Sequence, residues 1–289
     1  MTLASSAIAF LIALVAGAFG SVLGIGGGLF IIPSLTLFLG TSLQVAIATS
    51  IVAVIATSLG GGNVYLRQHI ADLRLGLLLA LATAPSAVIG ALLATHVGSR
   101  LLAGIFALVL LLSAYRMAAS ARGPARQLDA NAVDVTPASE GRSLLHFRTQ
   151  YRETNGEIVL YQVRRVGTGV ATSTLAGLIS GLLGVGGGIV QVPVMNLIMK
   201  VPIKVATTTS TYIIGITAMA GAFVYYNHRP SFVDPALAIP VTIGVFVGAS
   251  VGSSVLGRIS QRALRNTFVA VLAIYSLQMI LRVFGIGGG

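Results

Sequence analysis

Gly24-Ile25-Gly26-Gly27-Gly28-Leu29-Phe30-Ile31-Ile32-Pro33 returns 160 residues further on as Gly184-Val185-Gly186-Gly187-Gly188-Ile189-Val190-Gln191-Val192-Pro193. Four glycines and one proline keep the same spacing in both copies. The register also holds outward: Val45-Ala46 matches Val205-Ala206, Thr49-Ser50 matches Thr209-Ser210, and Tyr65 matches Tyr225. Similarity at a fixed offset marks two copies of one structural unit, so every later assignment has to hold in both.

The copies lie in a chain of 289 residues that is 55% hydrophobic and only 9% charged, with a mean hydropathy of +0.94. Soluble domains have about a quarter of their residues charged. Several apolar runs exceed the roughly 20 residues that cross a bilayer, which defines a polytopic membrane protein in contact with lipid. The net charge of +11 sits in loops between those runs, where topology and lipid headgroups account for it; nucleic acid is not an expected partner. The lack of cysteine removes disulfides, thiolate metal sites and cysteine relays. Residues 1–20 are apolar without a basic segment before them, which reads as a retained first helix, not a cleaved signal.

In order, Leu3–Gly20 and Leu29–Leu39 read as helices meeting at the first glycine cluster. Together they cover about 37 residues, too long for one crossing and short for two ordinary ones, so two short or broken helices fit. Leu43–Leu66, Leu73–Ala94 and Leu101–Met117 complete the first half. The second half repeats the plan with Val170–Leu183, Ile189–Met199, Val205–Tyr225, Pro235–Leu256 and Leu264–Phe284. The terminal Gly285-Ile286-Gly287-Gly288-Gly289 has no helix after it and reads as a frayed tail. Residues 1–120 are thus a first membrane repeat, 121–165 a polar linker, and 166–289 a second repeat. Within the linker, Leu144–Tyr151 and Ile158–Val163 flank Thr154-Asn155-Gly156-Glu157, the strongest short signal for a β-hairpin.

Charge chooses between two topologies. One crossing per glycine-bearing stretch gives eight spans and divides the 18 basic residues 12 to 6. Two short helices at each stretch, or one re-entrant hairpin, give inverted repeats and place fifteen basic residues on one side, against only Arg100, Arg229 and Arg282 on the other. Positive-inside bias selects the second arrangement. The expected fold class is therefore an all-α polytopic membrane protein of two inverted repeats, about five short or full helices each. Its helices are broken or re-entrant at the glycines, the linker with its hairpin is cytoplasmic, and both termini are outside.

A helix broken inside a membrane exposes backbone groups that must face protein or a water-filled cavity. Glycines there permit positive φ and bring the backbone close to a ligand. The following helix then directs free N–H groups and a positive dipole end at the break, an anion site needing no charged side chain. Two such ends converge on one small oxyanion in this reading. The candidate binding residues are Gly24, Gly26, Gly27, Gly28 and Pro33 with Thr49 and Ser50, and Gly184, Gly186, Gly187, Gly188, Gln191 and Pro193 with Thr209 and Ser210. The prolines are expected in the first turns of the short helices. The hydroxyls read equally well as bonding their own helix carbonyls. Gln191 and Asn196 face Ile31 and Thr36 at the matching positions, so the halves differ chemically. Gly244, Gly248 and Gly252, and Ser86, Gly90 and Ala94, are spaced for close helix packing.

Other chemistry is thin. Neither cluster is a dinucleotide fingerprint or a P-loop. Asp72 and Asp234 fall at span ends, and His69, His96, His146 and His228 in loops or at span edges, so no buried proton relay, metal site or catalytic dyad is read, and no cofactor is expected. The chain is not expected to be an enzyme.

Two copies of G-[IV]-G-G-G-x4-P at helix starts, each followed by V-A-x2-T-S, with a polar linker between the halves, resemble the sulfite exporter TauE/SafE family. The resemblance covers nearly the whole membrane portion. It implies transport of a small anion, a sulfur oxyanion or organosulfonate such as sulfite or sulfoacetate, across the bacterial inner membrane by alternating access. An inside-negative potential drives an anion outward by about 2.3 kcal/mol per charge per 100 mV, so export needs no coupling ion. Competing readings are an anion channel, a carrier of a carboxylate anion, and a non-transporting scaffold acting through the hairpin.

Overall fold

The computed structural model describes residues 3–67, 70–120, 148–152, 158–228, 231–255 and 274–281. The first copy contains α1 (Leu3–Leu23), α2 (Gly28–Phe38), α3 (Leu43–Arg67), α4 (Leu73–His96) and α5 (Ser99–Ser120). Two strands follow, β1 (Arg148–Arg152) and β2 (Ile158–Gln162), paired antiparallel with Arg148 opposite Gln162 and Arg152 opposite Ile158. The second copy contains α6 (Val166–Leu183), α7 (Gly188–Pro193) running into a π turn at Val194–Ile198, α8 (Ile203–Asn227) and α9 (Pro235–Val255), with residues 274–281 also helical. The turn Thr154–Glu157, most of the linker, the start of the last span and the tail Gly285–Gly289 lie outside the described residues.

Five of the described helices have the length and composition to cross a membrane: Ser5–Leu23, Leu43–Leu66, Leu73–His96, Val166–Leu183 and Pro235–Ser254. The outer faces carry Leu11, Leu81, Leu108, Phe223 and Ile239, each more than half exposed. Large apolar side chains turned outward along long helices fit a lipid solvent.

The two copies exchange helices. The largest helix contacts set α1 against α9 and, as the repeat of that pair, α6 against α4. Between α1 and α9 the contact is made backbone to backbone: a Cβ added to Gly244 would lie 2.5 Å from the Phe10 carbonyl oxygen, and one on Gly252 would lie 2.5 Å from that of Ala18. Gly248 meets the Leu14 carbonyl more closely still, and on the α4–α6 side Gly90 meets Leu178 and Gly181 meets Ala87 in the same way. Helices without side chains at the seam gain dispersion contact along their whole length, which is how association proceeds where lipid is as apolar as leucine.

At the centre α3 and α8 cross antiparallel. A Cβ on Gly61 would be 3.6 Å from Thr211 Cγ2, and one on Gly221 would be 2.9 Å from Ile51 Cδ1. Those two contacts are images of one another under the 160-residue offset, because Ile51 matches Thr211 and Gly61 matches Gly221. Val54 and Ile214, which also match, are both buried and form a separate apolar cluster with Ala218. The contacts at this crossing thus come in matched pairs, each related to the other as by a local pseudo-axis.

The copies are not identical. Asn196 Nδ2 donates to the Val201 carbonyl at 3.0 Å, the Met199 N–H reaches back five residues to Val194, and Lys200 adopts a left-handed φ of 59°. The helix of six residues and its π turn replace the continuous α-helix that Ile189–Met199 predicts. In the first copy α2 continues through Pro33 for its full length. The sequence reading also put both prolines in first turns; with helices starting at Gly28 and Gly188 they fall at the sixth residue, where the missing N–H removes an interior hydrogen bond.

Candidate functional site

The glycine clusters are helix breaks with matching backbone conformations. Gly24, Gly26 and Gly27 have φ of 66°, 88° and 74°, and Gly184, Gly186 and Gly187 have 68°, 81° and 69°. Left-handed backbone strains any residue with a Cβ, so three glycines per copy are dictated by conformation. Gly27 and Gly187 are the caps from which α2 and α7 start, and their carbonyls accept the first intrahelical bonds, from Phe30 and Ile31 and from Val190 and Gln191.

Gly28 and Gly188 serve contact instead. A Cβ on Gly28 would lie 2.6 Å from the Gly184 carbonyl oxygen and 2.9 Å from Val185 Cα; one on Gly188 would press on the Gly24 carbonyl and lie 2.9 Å from Ile25 Cα. The two breaks thus lie backbone on backbone at the pseudo-axis. Val54 and Ile214 close the same space, each within 3.2 Å of the positions a Cβ would take on both Gly26 and Gly186.

Ser50 and Ser210 tie the breaks across the copies. Ser50 Oγ donates to the Gly184 carbonyl at 2.9 Å, and Ser210 Oγ donates to the Gly24 carbonyl at 3.1 Å. Both serines are fully buried. Each satisfies a carbonyl that a broken helix leaves open. Thr57 donates to the Gly26 carbonyl at 3.2 Å, while its counterpart Thr217 turns to Thr83 of α4 at 2.8 Å. Tyr65 OH donates to the Ser21 carbonyl at 3.0 Å and Tyr225 OH to Gly181 at 2.9 Å, pinning the last turns of α1 and α6 just ahead of each break.

Thr49 and Thr209 differ. Thr49 Oγ1 is buried without a hydrogen-bond partner, whereas Thr209 Oγ1 accepts from the Asp72 N–H at 2.9 Å. Gln191, the fourth residue of α7, is buried with its Nε2 unpartnered, and Ser180 Oγ, on α6 beside Gly187, is unpartnered too. Buried polar atoms without partners cost free energy and mark places where a ligand or solvent atom would be accommodated. Their counterparts are Ile31 and Gly20, so this polarity belongs to the second break alone. Pro33 is buried within α2 and Pro193 half-buried at the end of α7.

The structure brings the candidate glycines and serines together at the crossing, with Thr49 and Thr209 beside the serines and Gln191 in the second break. Sequence reasoning missed Thr57, Ser180, Asp72 and Tyr161. Asp72, only 5% exposed, caps α4 by accepting from the Leu75 N–H at 3.1 Å, and its other oxygen accepts from Tyr161 OH at 2.9 Å. Tyr161 lies 89 residues away, beyond any local signal. No group of three or more potential metal ligands occurs among the described residues.

A duplicated helical membrane protein with paired breaks at a pseudo-two-fold axis has the architecture of a secondary transporter. The chain matches the sulfite exporter TauE/SafE family over residues 9–279, and it belongs to that family of membrane transporters. It is 28% identical over 285 residues to the probable membrane transporter protein YunE of Bacillus subtilis, covering 96% of this chain and 97% of that one. Over 113 residues it is 27% identical to the probable membrane transporter protein MamO of Paramagnetospirillum magneticum, 37% of this chain and 18% of that one. No solved structure matches the chain.

Proposed function

We propose that this chain exports a small anion, a sulfur oxyanion or organosulfonate of the sulfite type, held between the Gly24–Gly28 and Gly184–Gly188 breaks. The observation that carries the reading is the reciprocal pair Ser50–Gly184 and Ser210–Gly24, which keeps both breaks at one place on the pseudo-axis. Backbone dipoles with the unpartnered Thr49 and Ser180 hydroxyls bind an oxyanion without a fixed cation, and a weakly held anion is easily released. Gln191 and Ser180 make the second break the more polar half of the cradle. The copies lie inverted across the inner membrane, in keeping with the antiparallel α3 and α8. Arg74, Arg164, Arg165, Lys200 and Lys204 flank the end where α4, α6 and α8 begin, and positive-inside bias makes that end and the linker cytoplasmic. Rocking of one copy against the other exposes the site to each side in turn, and the membrane potential drives the anion outward.

The test is binding of sulfite, thiosulfate, sulfoacetate and a carboxylate control to purified protein, with Gln191→Ile, which installs the first copy's residue. Expected is sulfur-oxyanion binding weakened at least ten-fold in a variant that melts no lower than the parent. Carboxylate binding lost in the same variant would keep the site and replace the substrate class. Sulfur-oxyanion binding indifferent to the substitution would remove Gln191 from the site, and no binding of any anion would overturn the reading.

A further inference from the structure

The end of the linker, from Tyr161 to Arg165, is packed onto the helices. Tyr161 at the end of β2 is 4% exposed and Val163 3%. Both pack with Val166, Leu75 and Leu79, with Met199 and Val201, and with Val205 and Ala206 of α8. The Arg164 N–H donates to the Met199 carbonyl at 2.9 Å, closing the strand onto the loop after the π turn. Burial of an aromatic ring with its hydroxyl bonded to a carboxylate is a specific attachment, not a loose tether.

From Tyr161 a relay of hydrogen bonds runs inward. Its hydroxyl donates to Asp72 Oδ2 at 2.9 Å, the Asp72 N–H donates to Thr209 Oγ1 at 2.9 Å, and the adjacent Ser210 donates to the Gly24 carbonyl in the other copy's break at 3.1 Å. Among the described residues the first copy has no equivalent relay. Asp234, which stands ahead of α9 as Asp72 stands ahead of α4, is exposed, and Thr49, the counterpart of Thr209, has no partner for its hydroxyl.

We propose that Tyr161 and Asp72 are positioning residues for transport: through Thr209 they hold the start of α8 against the start of α4, and so favour the state in which that end is closed. Two inverted copies related by symmetry alone have access states of equal energy, and a contact present in one copy only makes them unequal. Rocking that opens this end has to part α4 from α8 and draws on the Tyr161–Asp72 bond. The proposal depends on the transport reading for its role, while the contact itself is tested without substrate.

The chain lacks cysteine, so single reporters can be placed without background. Ala206 and its counterpart Ala46 are both fully buried. Ala206→Cys reports on the end next to Tyr161, and Ala46→Cys on the matching position of the first copy. Rates of thiol alkylation are compared with and without Tyr161→Phe, which removes one hydroxyl and leaves the ring in place. One net hydrogen bond corresponds to an expected rise of about five-fold at position 206, with a smaller rise, no change or a fall at position 46. Thr209→Val, which breaks the relay at its other end, gives the same selective rise. No change at position 206, or an equal rise at both positions, overturns the proposal, the latter by reducing the contact to general stability. Absence of anion flux in the parent protein would remove the transport reading and leave the labelling result standing.

Discussion

Ser50 in the first copy donates its hydroxyl to the Gly184 carbonyl in the second, and the 160-residue offset carries that bond onto Ser210 and Gly24. Each copy therefore completes the other's broken helix. Ser50→Ala and Ser210→Ala each leave a buried carbonyl open, and each is expected to lower stability by ~1–3 kcal/mol. Melting of the purified variants in one detergent checks this, and the two losses are expected to agree within about 1 kcal/mol because the bonds are equivalent. A loss confined to one variant would contradict the pseudo-two-fold pairing.

The tyrosine pair makes a second matched experiment. Tyr65→Phe and Tyr225→Phe keep the buried rings and remove only the hydroxyls that reach Ser21 and Gly181. Each is expected to cost ~1–3 kcal/mol in the same melting assay. Replacing the carbonyl's partner in this way leaves packing unchanged, so a much larger loss would show that the ring position depends on the hydroxyl.

Glycines divide by what lies beside them. Gly248→Ala drives a methyl into the Leu14 backbone on α1, where no side chain can yield, and is expected to cost at least ~3 kcal/mol or abolish folded yield. Gly62→Ala meets nothing within 4 Å and lies inside α3; removing a helical glycine is expected to add ~0.5–1 kcal/mol. Expression and melting of the two variants side by side give the comparison, and equal damage from both would mean that α1 and α9 are not packed on their backbones.

The breaks themselves offer a conformational control. Gly27→Ala places an L-residue at φ 74° and a Cβ 3.0 Å from the Ala16 carbonyl oxygen. Gly28→Ala, one residue later, has helical backbone but meets the Gly184 carbonyl at 2.6 Å. Both are expected to destabilise by ~1–3 kcal/mol, from strain in the first and from the cross-copy clash in the second. Removing the opposing hydroxyl with Ser50→Ala is expected to relieve part of the Gly28→Ala loss, since Ser50 Oγ lies 2.7 Å from the added Cβ; no relief at all would assign that loss to the backbone contact alone.

Much of this was legible before any coordinates. The offset between Gly24 and Gly184 marks the duplication, and the apolar run lengths mark helices on both sides of each break. Glycine at the end of an apolar run has few meanings, which is why the left-handed residues fall where the motif predicts. The serines were legible only as polar positions. A hydroxyl inside a membrane helix bonds its own turn, a neighbour or a ligand, and the spacing of Thr49-Ser50 does not separate these. Ser50 reaches 134 residues along the chain to Gly184, a distance no periodicity encodes. The π turn after Pro193 was likewise hidden, because Pro33 in the same setting leaves α2 continuous; the difference lies in Asn196 reaching Val201. Asp72 reads only as an acid at a span end, and the approach of Tyr161 shows it buried.

The exchange of helices between the copies also sets an order on biosynthesis. The Gly24 carbonyl is not satisfied until Ser210 has been made, and α1 gains its long backbone seam only when α9 arrives from residue 235 onward. For most of its synthesis the first break lacks the Ser210 hydroxyl that satisfies its Gly24 carbonyl in the folded chain. Neither copy is a self-sufficient folding unit, and a chain truncated after α5 would leave its own duplication incomplete.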